Sequence, residues 1–195
     1  INQFTFTNIF VNANYSKRTN TIQSAAVIDG INAVRTAVNS TFPRETYSLR
    51  ARLDKRFKNV KLNLSANLRF SDFYNTINNV VNKAEDLSRD FSTSIETNFR
   101  DKPNFELGIR YNVNDYKNGE TENKFIRETP FAKIDAYFGD GFVFTAEYSY
   151  NKYRNGEQVI NYFRFLDADL SYNKEGSKWE FSIGMTNLLN DQSTN

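Results

Sequence analysis

The sequence has no cysteine and no histidine in 195 residues, and only 3 prolines and 8 glycines. Without thiols there are no disulfides, no thiolate metal sites and no cysteine nucleophile. Without imidazoles every Ser-His or Asp-His hydrolase arrangement is excluded within this stretch, and no catalytic, cofactor or metal site is expected. The scarcity of proline and glycine excludes a low-complexity linker. No apolar run approaches the roughly 18 residues of a membrane helix. Net charge is only +2, which gives no electrostatic footprint of a nucleic-acid partner.

Aromatic residues, in contrast, make up 15% of the chain, high for a soluble domain, although mean hydropathy is only −0.65. A chain this polar overall meets lipid only as a β-barrel, the other structure that satisfies its own backbone hydrogen bonds. The stretch Phe142–Tyr150 gives the first sign. Phe142, Phe144, Ala146, Tyr148 and Tyr150 alternate with Val143, Thr145, Glu147 and Ser149, the period of two of an extended strand. Aromatics at both ends of a smaller waist match the interfacial girdles of a transmembrane β-strand.

The same alternation recurs along the chain. Ile1–Phe57 reads as one long hairpin, with a first strand from about Gln3 to Arg18 and its tip at Asp29-Gly30, a favoured type I′ pair. A short amphipathic helix over Ile22–Val38 is the alternative, disfavoured by Gly30 and the β-branched residues. Tyr47, Leu49, Ala51, Leu53 and Phe57 then alternate with polar residues, and Lys58-Asn59 turns the chain into Val60–Ser71, the most regular strand. Asn75–Ser88 reads as a polar connection with a tip at Asn78-Asn79, or a short surface helix. Strands are expected at Phe91–Arg100, Phe105–Val113, Ala132–Phe138, Phe142–Tyr150, Leu166–Asn173 and Trp179–Thr186. Their turns are Asp101–Asn104, Asn118-Gly119 within the longer Asp115–Lys124, Gly139–Gly141, Asn155-Gly156 and Lys174–Ser177.

About nine strands thus form consecutive hairpins, with short connections at one end and longer ones at the other. Outer-membrane barrels sort their loops this way. Their polar faces carry Arg50, Arg52, Asp54, Arg56, Lys61, Arg69, Glu96, Arg100, Glu106, Arg110, Lys133, Asp135, Glu147, Asp167, Asp169 and Glu180. In a soluble sandwich these residues are the solvated outside; in a membrane barrel they line the lumen. Both signs of charge interleave on neighbouring strands, as in a cross-strand lumen network. Tyr47, Phe70, Phe99, Phe105, Phe138, Phe142, Tyr150, Tyr172 and Trp179 are the lipid and interface aromatics of that reading.

Several groups have a chemical alternative. Asp167 and Asp169 project from one strand face, as paired carboxylates for Ca²⁺ or acid–base work do. A salt-bridge network with neighbouring Arg and Lys accounts for them more simply. Arg50, Arg52 and Arg56 suit an anion-guiding track, and the same network explains them. Tyr148, Tyr150 and Tyr153 suit sugar stacking, against plain interface anchoring. Asn118–Glu122 and Asp86–Asp90 suit external ligand or ion contacts, against solvated loop as the default.

Trp179–Asn190, WEFSIGMTNLLN, resembles the penultimate barrel strand of TonB-dependent receptors, where an apolar alternation ends in Asn-Leu before a polar loop. Tyr15 through Thr21-Ile22, Val38-Asn39 and Tyr162–Asp169 are similar to the allied outer-membrane β-barrel family. The resemblance implies that residues 1–195 are the C-terminal part of one barrel domain, about nine strands of a 22-stranded barrel whose last strand follows Asn195. The start at Ile1 and the polar end agree with that. It also implies a Gram-negative outer-membrane location, with a plug and N-terminal module outside this chain. It implies a substrate bound and passed without catalysis. The expected partners are outer-membrane lipid, a TonB-type energy-coupling protein and a surface lipoprotein or other complex subunit. Some relatives instead serve as scaffold subunits of assembly or secretion complexes. A soluble β-rich binding domain is the further alternative.

Overall fold

The computed structural model describes residues 6–100 and 102–191. It contains one sheet and no other layer. The strands are β1 (Thr7–Arg18), β2 (Thr21–Asp29), β3 (Asn32–Ser40), β4 (Arg44–Phe57), β5 (Val60–Ile77), β6 (Val80–Thr97), β7 (Asn104–Asn118), β8 (Thr121–Phe138), β9 (Phe142–Asn155), β10 (Gln158–Asn173) and β11 (Glu180–Met185). The sheet order is β1-β4-β5-β6-β7-β8-β9-β10-β11, every neighbour antiparallel. β2 and β3 pair with each other off this path, and β2 touches β5 in parallel over two residue pairs. The fold is therefore an up-and-down all-β sheet of 11 strands, and it is not closed.

The expected long hairpin at the N-terminus is present, but it is built from four strands. Asn20, at φ 53°, ends β1, and Pro43 separates β3 from β4. Proline cannot donate to a ladder, so the hairpin pairs as two segments around these interruptions. The alternative helix over Ile22–Val38 does not form. The proposed strand start at Gln3 and Asp101 of the following turn lie outside the described residues.

The long polar connections are also strand. β5 and β6 continue to a two-residue turn, Asn78-Asn79, with φ of 48° and 65° at the two central positions, as a type I′ turn requires. The Asp115–Lys124 connection is likewise paired to its tip, closing at Gly119-Glu120 one residue later than expected, and Asn155 pairs Gln158 around Gly156-Glu157. Asp86–Asp90 lies within β6, so its loop assignment is corrected. The expected sorting of short and long connections is corrected. The end expected to carry only short turns has connections of two residues (Lys58-Asn59) to six (98–103 and 174–179), whereas the other end closes in two- or three-residue turns at the tips of extended hairpins. Backbone pairing is indifferent to side-chain polarity, so a polar ribbon reads as loop by composition and still forms a ladder. Phe99 and Arg100 fall beyond the end of β6, in the turn, where Asn104 Oδ1 accepts the Phe99 N–H at 2.6 Å. Their expected strand positions are corrected accordingly; Trp179 stands just before β11.

The described residues form almost no hydrophobic core. Among them only Ala84, Val113 and Ile126 are buried hydrophobics; Ser40 is a buried polar residue at the end of β3, and Asp54, Ser71, Ser94, Thr129 and Asn151 are buried polar ones on the main path of the sheet. The last five point to the same face. Close approach on that face is sharpest at Gly108, where an added Cβ would stand 2.5 Å from the Phe131 ring and 2.7 Å from the Thr93 carbonyl oxygen. Phe131 lies over the glycine, an aromatic covering a gap in the ladder. Gly108→Ala is expected to cost about 1–3 kcal/mol through overpacking. Denaturant unfolding measures this, and adding Phe131→Leu should recover only part, because the Thr93 carbonyl remains.

Candidate functional site

Two surfaces follow from strand alternation, and cross-strand register fixes what each contains. The polar face carries all the strand-borne charges expected there: Arg50, Arg52, Asp54 and Arg56 of β4, Lys61 and Arg69 of β5, Glu96 of β6, and Glu106 and Arg110 of β7. Lys133 and Asp135 of β8, Glu147 of β9, Asp167 and Asp169 of β10, and Glu180 of β11 complete the set. Several of them meet. Lys61 Nζ reaches Glu96 at 2.9 Å, Arg52 Nε reaches Asp54 at 2.9 Å, and Lys133 Nζ reaches Asp135 at 3.3 Å. Arg110 spans β8 to Glu147 at 3.6 Å and lies 4.1 Å over the Phe131 ring. Asn173 donates to Glu180 at 3.2 Å.

Other expected members stay outside this network. Among the described residues Arg50, Arg56, Arg69, Glu106, Asp167 and Asp169 make no ion pair. Asp167 Oδ1 instead accepts the Asn187 N–H at 2.8 Å, and Asp169 lies against Gly184. The salt-bridge explanation of this carboxylate pair is therefore corrected to backbone capping for Asp167. No group of three or more acidic, His or Cys side chains suited to a metal occurs among the described residues. Tyr148 and Tyr150 have the parity of the apolar face, whereas Tyr153 sits on the polar one, stacked 5.3 Å from Phe163.

The opposite face is apolar and exposed. Ile9, Val11, Leu49, Leu64, Phe91, Ile95, Leu107, Ile109, Phe144, Tyr148, Phe181 and Ile183 all leave large parts of their side chains uncovered. Aromatics mark two edges of this surface. At the Lys58-Asn59 end of the sheet Phe138, Phe142, Tyr172 and Phe181 occupy one cross-strand row, with successive ring centroids 5.7, 4.8 and 5.2 Å apart. At the other end Tyr15, Tyr47 and Phe70 are row neighbours at 4.8 and 6.2 Å.

Directly above Tyr15-Tyr47-Phe70 runs a row that sequence reasoning missed: Lys17, Glu45, Asp72, Glu85, Lys117 and Glu122 on six successive strands. Lys17 reaches Glu45 at 2.7 Å, Lys83 reaches Asp72 at 3.4 Å and Glu85 at 3.0 Å, and Lys117 reaches Glu122 at 2.7 Å. At the β7–β8 tip the Lys117 ammonium hydrogen-bonds the Glu122 carboxylate, holding the carboxyl below its ordinary range and the ammonium above its own. The signal was present as charges at strand parity, hidden because these segments read as loops. Charges interrupt the apolar face lower down as well, among them Arg89 of β6, paired with Asp115; Glu128 and Lys152, in the row of Val11, Ala66 and Phe91; Arg164 of β10, paired with Asp191; and Lys55, which donates to Thr7 Oγ1 at 2.6 Å. The position of Lys55 near the Lys58-Asn59 end lets its stem lie along apolar surface while the ammonium reaches polar ground.

The aromatic boundary is staggered. The row containing Phe57 reaches β8 at Ile134, but the boundary aromatic of β8 is Phe138. Four residues of travel, about 13 Å, across four strand spacings, about 19 Å, correspond to a tilt of roughly 35°. Between Tyr162 and Tyr172 the ten residue steps of β10 project to about 27 Å at that tilt.

No protein family, curated protein or solved structure matches the chain.

Equal substitutions on the two faces should behave differently. Thr129 is 4% exposed and donates to Asn151 Oδ1 at 3.0 Å. Thr129→Val is expected to cost about 1–3 kcal/mol by orphaning a buried amide. Thr93→Val on the apolar face should be neutral or stabilising. Thermal unfolding of the two variants side by side makes the comparison.

Proposed function

We propose that the chain is part of the wall of an outer-membrane β-barrel, of TonB-dependent-receptor type, which binds a substrate and passes it across the membrane without chemistry. The observation that carries this is the inverted burial: polar side chains crowd on one face of the sheet while the large apolar ones stand exposed on the other. A soluble sheet with this composition would turn its apolar face to a second layer. Lipid covers such a face without any complementary surface.

The two aromatic rows and the charged row above one of them support the same assignment, because aromatic girdles sit at the membrane interfaces and charges beyond them. A tilt of roughly 35° and a spacing of about 27 Å between the boundary aromatics of β10 are close to the dimensions of a bilayer-spanning barrel strand. The dip on the apolar face beside Ile9, Val11, Leu53 and Phe91, floored by Ala51 and Ala66, has about 390 Å³ and suits an acyl chain. The transport role, the TonB-type coupling protein and the surface lipoprotein rest on the sequence resemblance. The barrel reading needs none of them.

Leu64 and Ser65 test the orientation, since they are adjacent on β5, face opposite ways and are both exposed. Leu64→Arg is expected to cost about 2–4 kcal/mol by placing a guanidinium near the bilayer midplane. Ser65→Arg should cost far less. Urea titration in phospholipid vesicles measures both; equal tolerance would contradict the lipid-facing assignment. Extraction with soluble proteins in the absence of detergent would remove the membrane reading altogether.

A further inference from the structure

A groove of about 410 Å³ crosses the polar face. β5 and β6 supply its floor from short side chains, including Ser65 and Ser92, and the walls are arginines: Arg50 and Arg52 from β4, Arg110 and Arg127 from β7 and β8. Asp90, the carboxylate in the floor, is satisfied by neutral amides. Asn67 donates to one oxygen at 3.2 Å and Asn112 to the other at 2.7 Å. Arg50 and Arg127 lie at the two ends of this same cross-strand row. Neither has a carboxylate partner among the described residues; Arg127 Nε donates to the Asn112 carbonyl oxygen at 3.1 Å. Arg52 is held by Asp54, and Arg110 by Glu147 and Phe131.

Asp90 keeps its charge in the floor but pairs with neither wall. The two guanidiniums stand at opposite ends of the Asn67-Asp90-Asn112 row, with the hydroxyls of Ser65 and Ser92 in the next row. Guanidinium forks match planar and tetrahedral oxyanions bidentately. We propose that this groove binds a multivalent oxyanion, a molecule carrying at least two carboxylate or phosphate groups, bridged between Arg50 on one wall and Arg127 on the other. The volume falls within the range of small-molecule sites. A single carboxylate engages one wall only, so the groove discriminates by the number and spacing of anionic groups. Taken as the substrate class of the barrel, this rests on the membrane reading above, under which the groove lines the lumen; the groove itself is a property of the polar face.

The test is calorimetric titration of the full-length protein in detergent with pyrophosphate, tricarballylate and acetate. Pyrophosphate and tricarballylate should each saturate one site, with acetate weaker by about tenfold or more. Arg50→Gln and Arg127→Gln should each weaken the multivalent anions about tenfold, and Lys83→Gln on the opposite face should change nothing. Where a Gln variant loses its unfolding transition, Arg50→Lys and Arg127→Lys, which keep the charge without the fork, should still weaken binding several-fold. No saturable binding of either multivalent anion, acetate as tight as they are, or affinity indifferent to both arginines would overturn the proposal. If the protein extracts without detergent, the membrane reading fails, and the same titration on the soluble protein decides the groove by itself.

Discussion

A single-layered sheet has to find a cover for its apolar face. Among the described residues no second sheet and no helix pack on it, and the large side chains from Ile9 to Ile183 remain open. At about 25 cal/mol per Å² of apolar surface, leaving such a face in water forfeits most of the favourable term in folding. Much else in the structure is consistent with lipid supplying that cover. The polar face can crowd because it need not form a dry core, and its arginines and carboxylates bridge strands where a sandwich would need leucine.

Strand pairing gives the sheet its dimensions. The hairpins are in register from turn to turn, so the aromatic boundary can be followed across them, and its stagger measures tilt without reference to a bilayer. That the same stagger gives both a plausible tilt and a plausible thickness is a coincidence for a soluble meander. For a membrane wall the two quantities are linked. The charged row from Lys17 to Glu122 then marks where the hairpins leave the apolar zone and continue as polar ribbons.

The regular strands were legible in the sequence because alternation is a local signal. Val60–Ser71 and Phe142–Tyr150 read correctly residue by residue, and so did the faces of their neighbours. The extended hairpins were not legible: Asn75–Ser88 and Asp115–Lys124 are polar on both faces, and only pairing to a partner strand makes them strands. The same blindness hid the outer charged row. The groove was half visible, since Arg50 and Arg52 stood out as an arginine track. Arg127 did not, because only register brings it into the row of Asp90. Closure of the sheet is a long-range property that alternation does not encode, and the 11-stranded sheet is open.

Because the chain has no cysteine, single cysteines can be placed at will. A nitroxide scan along Val60–Phe70 of β5 in lipid vesicles, read with a lipid-soluble and a water-soluble relaxation agent, addresses the orientation of the sheet directly. Positions 62, 64, 66 and 68 are expected to respond to oxygen, and positions 61, 63, 65 and 67 to the aqueous agent, in strict alternation. Equal access of the aqueous agent to both sets would mean that water, and not lipid, covers the apolar face.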